Sequence, residues 1–285
     1  MRWPELLAET KDALGANTDR PDIEARWIIE SVSGASVHDL AEGPVPARAI
    51  ARVDDMVDRR GRGEPLQYVL GAWAFRGLEV FVDRRVLIPR PETEVTAEHA
   101  IAAARACAST RVPVRVVDLG TGSGAIALAV AAEVPDAEIQ ATDVSEDALA
   151  VARANLAGAG TIATRVRLLP GSWFDALHSD LRRHVDVLVS NPPYVAETEL
   201  GELAAEVREH EPRSALIAGP TGLEAIEHVI SHAPEWLRED GTLVLELAPH
   251  QSDQAAGLAR AAGFHRVRVE PDLSGRDRVL VGSRA

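Results

Sequence analysis

The chain has 285 residues, a formal net charge of −14 and a single cysteine, Cys107. This length leaves room for one large domain and a small one, and the excess of acidic residues argues against a protein that binds nucleic acid mainly through a basic surface. One cysteine excludes an intrachain disulfide, and no apolar run approaches the roughly 18 residues of a membrane span, so we expect a cytoplasmic protein without membrane contact. Cys107 lies in an alanine-rich segment and is interpreted as a small core residue rather than a nucleophile.

The first part of the chain predicts a small bundle of helices. Apolar residues recur there at spacings of three and four, the helical period, over residues 3–14, 23–32 and 47–60. Pro21 is placed to open the second helix and Gly34 to end it. We therefore assign residues 1–72 to an N-terminal helical domain.

A short β-hairpin is predicted next, after a break that contains glycine and proline. Its two β-prone strands, 73–75 and 79–82, flank Arg76-Gly77, so residues 73–89 are interpreted as a β-hairpin linker.

Residues 90–285 predict the larger domain, which begins with Arg90 between two prolines. Its guanidinium is suited to a carboxylate of a cofactor or substrate, or to a neighbouring acid of the protein, and we favour the acid.

Strands and helices alternate from residue 114, which predicts an α/β domain with a mostly parallel sheet. The candidate strands are 114–118, 137–142, 165–169, 185–190, 242–247, 265–270 and 278–281. The candidate helices are 124–133, 146–157, 221–238 and 250–262. Ligands in such folds bind beyond the carboxyl ends of the parallel strands, so the loops at that edge are the expected site.

A glycine loop follows the first of these strands, with the sequence Asp118-Leu119-Gly120-Thr121-Gly122-Ser123-Gly124. A strand, a glycine loop and a helix in succession are typical of nucleotide binding, because glycines let the backbone turn tightly and approach a ligand. The G-x-G-x-G spacing, with Asp118 just before it, favours S-adenosylmethionine over NAD. Asp118 can act on a cationic ligand or order the loop. Thr121 and Ser123 are expected to help satisfy free N–H groups at the helix start.

Two later residues are placed to bind the same ligand. Asp143 ends the next strand about 20 residues past the glycine loop, where an acid usually accepts ribose hydroxyls. Trp173 follows Gly171-Ser172 after the third strand. Its ring can stack on an adenine ring or belong to the core.

The tetrapeptide Asn191-Pro192-Pro193-Tyr194 follows the fourth strand. The two prolines remove two N–H donors and fix φ, which leaves nearby backbone carbonyls free to accept hydrogen bonds. Asn191 adds a directed carbonyl acceptor, and Tyr194 adds a flat face. This set is suited to holding a planar –NH2 group by its hydrogens, and the alternative is a rigid turn.

Taken together, these motifs resemble the PrmC/HemK family, the peptide chain release factor glutamine methyltransferases. The resemblance depends on five segments in chain order: 86–94, 118–124, 171–173, 191–194 and 211–216. It covers residues 73–285, and the first 70 or so only in length and helical character. It implies a class I, Rossmann-like methyltransferase fold with seven strands, the last antiparallel.

The resemblance also implies the reaction, which is methyl transfer from S-adenosylmethionine to N5 of the glutamine in the Gly-Gly-Gln motif of class 1 release factors. Asn191 and the Pro192 carbonyl would each accept one amide N–H, and Tyr194 would pack against the amide. The cofactor would contact Asp118, the glycine loop, Asp143, Trp173 and Asn191, and S-adenosylhomocysteine would be released. The N-terminal domain would help to bind the release factor.

Three alternatives remain from the residues themselves. The same Asn-Pro-Pro-Tyr turn orients the exocyclic amine in N6-adenine methyltransferases of RNA or DNA, against which the net charge of −14 counts. The second alternative is a non-catalytic module that binds S-adenosylmethionine, and the third is an NAD-dependent oxidoreductase. Neither explains the hydrogen-bond acceptors of the Asn-Pro-Pro-Tyr turn.

No histidine pattern has metal-ligand spacing, so no metal is predicted.

Overall fold

The computed structural model describes residues 1–15, 18–40, 42–110 and 112–285. The chain folds as two units, one of Met1–Ala72 with Ala204–His210 and the other of Trp73–Leu203 with Glu211–Ala285. The first unit thus includes a short segment from far along the chain, which the sequence pattern did not predict.

The described residues form helices and strands in the following order. The helices are α1 (Trp3–Leu14), α2 (Pro21–Ser33), α3 (Ala47–Gly61), α4 (Leu66–Leu70), α5 (Pro91–Ala108), α6 (Ala125–Glu133), α7 (Glu146–Gly158), α8 (Ala205–His210), α9 (Arg213–Leu216), α10 (Glu224–Trp236) and α11 (Ser252–Ala261). The strands are β1 (Ala72–Phe75), β2 (Leu78–Phe81), β3 (Val114–Leu119), β4 (Ala137–Asp143), β5 (Val166–Pro170), β6 (Val185–Ser190), β7 (Val195–Ala196), β8 (Ile217–Gly219), β9 (Leu237–Glu246), β10 (Phe264–Pro271) and β11 (Asp277–Arg284).

The first unit contains α1 to α4 and α8, and its core, which includes the fully buried Leu14 and Ile28, is formed by residues before Gly71. Arg60 of α3 is 6% exposed and donates to Glu24 of α2 at 2.7 Å and to Glu206 of α8 at 2.6 Å. Because a buried charge is costly unless it is paired, the Glu24 pair ties α3 to α2 and the Glu206 pair holds α8 in the unit. The three predicted helices are present, and α4 was not predicted.

The predicted hairpin is present as the two-stranded pair β1–β2. Arg76 and Gly77 between the strands have φ of +46° and +75°. Two successive residues with positive φ are typical of the type I′ turn, whose twist matches that of the strands it joins.

The second unit is built on a seven-stranded sheet in the order β10-β11-β9-β6-β3-β4-β5. The neighbours from β9 to β5 are parallel, whereas β11 is antiparallel to both β9 and β10. All six residues of β6 are buried, so both faces of the sheet are covered at its centre. The expectation of a mostly parallel sheet with an antiparallel last strand is confirmed.

Two predictions about the second unit need correction. The strand predicted at 242–247 begins five residues earlier, at Leu237, because Leu237 already pairs with Val185; residues 238–241 form an irregularity before Thr242 pairs with Val187. Cys107 is only half-buried, near the end of α5, and its Sγ accepts a hydrogen bond from Arg238 at 3.5 Å. It is therefore not a core residue.

Candidate active site

The register of the sheet brings the predicted motifs to one edge. Leu119 pairs with both Thr142 and Ser190, and Ser190 pairs with Leu245. The residues that follow these four are Gly120, Asp143, Asn191 and Glu246. The glycine loop, the acid of β4 and the Asn-Pro-Pro-Tyr turn therefore begin side by side at the carboxyl ends of neighbouring parallel strands, where ligands of such sheets bind.

An open cavity of about 1000 Å³ lies at this edge. Eight of the twelve residues predicted for the site line it: Gly120, Thr121, Gly122, Ser123, Asp143, Trp173, Asn191 and Pro193. The other four do not line it: Asp118, Gly124, Pro192 and Tyr194. Further walls are formed by the segments 86–94 and 211–216, and they include Leu87, Thr93, Pro212 and Ser214.

The glycine loop has the backbone that its sequence requires. Gly120, Gly122 and Gly124 have φ of +69°, +56° and +82°, a region that other residues rarely adopt. α6 begins immediately after Gly124 without a side-chain cap. The expected capping by Thr121 and Ser123 is therefore wrong for α6. The Thr121 hydroxyl points the other way, into a 2.6 Å hydrogen bond with Asp118 Oδ2.

Asp118 lies beneath the loop, 1% exposed. The pKa of its carboxyl is raised to about 7, mainly by burial; the hydrogen bond from Thr121 lowers the pKa and the charge of Asp143 adds to the rise. Its Oδ1 has no hydrogen-bond partner among the described residues. This geometry corresponds to the loop-ordering alternative, and its effect on a bound cofactor stays a prediction.

Asp143 both faces the cavity and holds the loop. Its Oδ2 accepts the backbone N–H of Gly122 at 2.8 Å, and its Oδ1 accepts that of Ser145 at 2.9 Å. Burial raises the pKa of this carboxyl, whereas these backbone donors lower it. Each oxygen keeps a second lone pair, so the carboxylate can also accept hydrogen bonds from a ligand.

Trp173 combines the two roles that the sequence left open. Its half-buried ring packs against the main core of the second unit and also lines the cavity. The residue has φ of +46°, and the position that a Cβ on Gly120 would occupy is 3.8 Å from its Cζ3. The ring is thus set beside the glycine loop by backbone in an unusual conformation, which is common at functional sites.

The Asn-Pro-Pro-Tyr turn presents Asn191 to the cavity, where its Nδ2 donates to Thr93 Oγ1 at 3.2 Å. No described residue donates to Asn191 Oδ1. Tyr194 packs against the core, and its backbone carbonyl accepts a hydrogen bond from Gln251 at 2.9 Å. Burial raises the pKa of its hydroxyl, as does the charge of Glu246. Since Tyr194 does not line the cavity, its contact with a substrate stays a prediction.

Arg90 and Glu211 form an ion pair between the segments 86–94 and 211–216. The Glu211 side chain is 1% exposed and that of Arg90 30%. Of the two alternatives for Arg90, the neighbouring acid is confirmed. The pair connects the residues before Thr93 to those before Ser214, so it fixes two walls of the cavity relative to each other.

Two classes of feature are absent from the part of the chain that the structure describes. None of its helices is long and apolar enough to cross a bilayer. No three histidine, cysteine, aspartate or glutamate side chains are grouped so that they could hold a metal ion.

Known families and proteins are similar to this chain along most of its length. The PrmC N-terminal domain matches residues 5–71, and the methyltransferase small domain matches residues 105–211. The release factor glutamine methyltransferase of Caulobacter vibrioides is 39% identical over 98% of this chain and 94% of its own. That of Neisseria gonorrhoeae is 40% identical over 92% of this chain and 93% of its own. The crystal structure of a methyltransferase from Pyrococcus furiosus shares the fold, with a TM-score of 0.53 and 18% identity over 73% of this chain and 90% of that one.

Proposed function

The chain belongs to the family of release factor glutamine methyltransferases, and from this premise we propose that it transfers a methyl group from S-adenosylmethionine to a glutamine side-chain amide. The proposed substrate is the Gly-Gly-Gln glutamine of class 1 peptide chain release factors, methylated at N5. The position of Asn191 carries the proposal, because it lines the same cavity as Gly122 and Asp143 while its side chain donates through Nδ2 to Thr93 and leaves Oδ1 as the acceptor.

The residues of the cavity fit S-adenosylmethionine. The positive-φ glycines leave room for close approach of the ligand, Asp143 can accept from ribose hydroxyls, and Trp173 can stack on an adenine ring. When bound, this cofactor supplies a methyl group on a cationic sulfur, and the accepting nitrogen loses one proton when the group is transferred.

The turn would orient the substrate amide by its two hydrogens. Thr93 occupies the Asn191 amino group, so Oδ1 is the end of Asn191 that can accept one N–H of the glutamine. The proposed acceptor for the other is the carbonyl of Pro192, although Pro192 itself does not line the cavity; two successive prolines leave no backbone donor to compete at that point. Held in this way, the glutamine nitrogen directs its lone pair away from the turn.

Positioning is the main contribution that the protein would make. An amide nitrogen is a poor nucleophile because its lone pair is delocalised into the carbonyl, and correct placement of reactants can supply roughly 7–11 kcal/mol of the barrier. A methylated and protonated amide is very acidic, so no strong general base is needed and none is assigned.

We further propose that the first unit helps to bind the release factor in the cytoplasm. The match of residues 5–71 to the PrmC N-terminal domain supports a role specific to this family. The net charge of −14 supports a protein partner rather than direct binding of nucleic acid.

Replacement of Asn191 tests the orienting role. Asn191→Ala removes one acceptor for the amide, so we expect turnover with a whole release factor to fall about 100-fold. The dissociation constant for S-adenosylmethionine, measured by calorimetry, should change far less. An equal loss of cofactor affinity would remove Asn191 from the substrate site.

A further inference from the structure

Thr93 makes a contact that the proposed reaction does not by itself require. It lies in the first turn of α5, is 4% exposed, and accepts a hydrogen bond from Asn191 Nδ2 at 3.2 Å. The two residues are 98 positions apart in the chain. A buried side chain from one segment thus meets the amino end of the proposed substrate-orienting amide of another.

The direction of this contact matters because the two ends of an asparagine amide are nearly equal in shape and opposite in function. The oxygen accepts hydrogen bonds, whereas the amino group donates them. If the Asn191 amide turned by 180°, it would present two donors to the amino group of the substrate, which also donates. The turn backbone does not distinguish these orientations, so a partner of the side chain must.

Thr93 is built to act as that partner. Pro91 opens α5, and the Thr93 backbone N–H donates to the Arg90 carbonyl at 3.0 Å, which fixes the first turn. Burial raises the pKa of Glu246, the fully buried acid at the end of β9, to about 7, and the hydroxyls of Thr96 and Thr93 act in the opposite direction. Of the two hydroxyls, that of Thr96 donates to this carboxyl at 2.9 Å. The Thr93 oxygen offers a lone pair to Asn191 Nδ2 at 3.2 Å.

We propose that Thr93 is a positioning residue that holds the Asn191 amide with its oxygen towards the substrate. This inference rests on the proposed function. Thr93 would help to align the glutamine amide through Asn191, without touching the reacting atoms itself.

A set of three variants tests it. Thr93→Val keeps the shape but removes the acceptor, and should lower kcat for a whole release factor about 10- to 100-fold while the calorimetric dissociation constant for S-adenosylmethionine stays within about twofold. Thr93→Ser keeps the hydroxyl and should restore most of kcat. In an Asn191→Ala background, Thr93→Val should have little further effect, because the two residues act as one unit.

The contrary results are equally specific. A Thr93→Val enzyme with unchanged kcat, or one whose loss adds in full to that of Asn191→Ala, would overturn the positioning role. Failure of Thr93→Ser to restore kcat would also contradict it, since packing rather than hydrogen bonding would then be what the site needs.

A second measurement separates this inference from the proposed function. In ¹⁵N-labelled protein without substrate, the side-chain amino protons of Asn191 should exchange slowly with water in the wild type and in Thr93→Ser, and rapidly in Thr93→Val. If the wild type transfers no methyl group to any release factor, the proposed function fails. The exchange rates still test whether Thr93 holds the Asn191 amino group. Equal exchange rates in all three proteins would overturn the inference alone.

Discussion

Asp143 Oδ2 accepts a hydrogen bond from the backbone N–H of Gly122 at 2.8 Å, so the acid that ends β4 also holds the glycine loop that follows β3. One carboxylate therefore links the two elements that the sequence assigned independently to a cofactor site. Its loss should disturb the loop and remove an acceptor for ribose hydroxyls at the same time.

Asp143→Ala should therefore weaken binding of S-adenosylmethionine about 10- to 100-fold, since hydrogen bonds to a charged group contribute roughly 1.5–3 kcal/mol. Isothermal titration calorimetry measures this directly. Glu138→Ala is the matched control, because Glu138 is an exposed acid on the same strand. A dissociation constant that is unchanged in Asp143→Ala would exclude the ribose role.

Gly222 should be essential for the shape of the Asn-Pro-Pro-Tyr turn. It has φ of +81°, and an added Cβ would lie 2.8 Å from the Tyr194 carbonyl oxygen and 3.0 Å from the Ala196 backbone nitrogen. Backbone atoms cannot move aside as a flexible side chain can. We expect Gly222→Ala to lower the free energy of unfolding by about 2–4 kcal/mol, from left-handed strain and steric overlap together.

Urea denaturation of Gly222→Ala and of a control variant, Gly158→Ala, checks this expectation. Gly158 ends α7 without a positive φ and with no neighbour within 4 Å of an added Cβ. Alanine there should leave stability unchanged or raise it by up to about 1 kcal/mol. Two variants of equal stability would show that the close approach to Tyr194 imposes no constraint.

Asp118 should make the stability of the protein depend on pH. Its pKa is raised from 3.8 to about 7 by burial, so the folded state favours the protonated form. Its contribution to the free energy of unfolding is therefore fully present below pH 3.8, is lost as the pH rises towards 7, and stays low above that pH. Across this range the loss amounts to about 4 kcal/mol at most.

Asp118→Asn removes this titration and keeps an acceptor for Thr121. Relative to the wild type, the variant should therefore gain stability between about pH 5 and pH 7.5 in urea denaturation. Asp136→Asn, at an exposed position, controls for the loss of one carboxylate. A difference between Asp118→Asn and wild type that is constant with pH would show that Asp118 titrates normally.

Arg60 should be the main polar determinant of stability in the first unit. Its ion pairs with Glu24 and Glu206 satisfy a guanidinium that is 7% exposed, and they raise its pKa. Arg60→Met leaves the Glu24 carboxylate, which is 11% exposed, without this partner and should cost about 3 kcal/mol. Faster hydrogen exchange in α2, α3 and α8, measured by mass spectrometry, would report the loss.

Arg62→Met is the matched control, because that side chain is 73% exposed and its contact with Asp58 spans 3.9 Å. An exposed pair of this kind contributes about 0.5 kcal/mol or less. If both variants exchanged at the wild-type rate, the ion pairs of Arg60 would not be what holds α2 and α8 to α3.

Much of the fold could be predicted from sequence because its signals are local. Alternating apolar runs and glycine turns identified the strands, and the G-x-G-x-G loop and the Asn-Pro-Pro-Tyr turn each encode their own backbone conformation. The rule for parallel sheets then placed both motifs at one edge, and the register of Leu119 with Ser190 confirms that placement.

The polar contacts between distant segments could not be predicted in this way. Thr93 meets Asn191 and Arg60 meets Glu206 only because packing brings together residues 98 and 146 positions apart. The cap expected from Thr121 failed for a local reason, since the Thr121 hydroxyl is turned towards the buried Asp118 carboxyl, to which it donates. Hydrophobic periodicity carries no information about such pairs.

The most direct test of the proposed function is transfer of a tritiated methyl group from S-adenosylmethionine by the purified enzyme. A class 1 release factor, its Gly-Gly-Gln→Gly-Gly-Ala variant, bulk RNA and bulk DNA are offered in parallel. We predict label on the release factor and none on its variant or on either nucleic acid. Label on nucleic acid alone would contradict the proposal, and would mean that the turn at Asn191 holds the amine of adenine rather than the amide of glutamine.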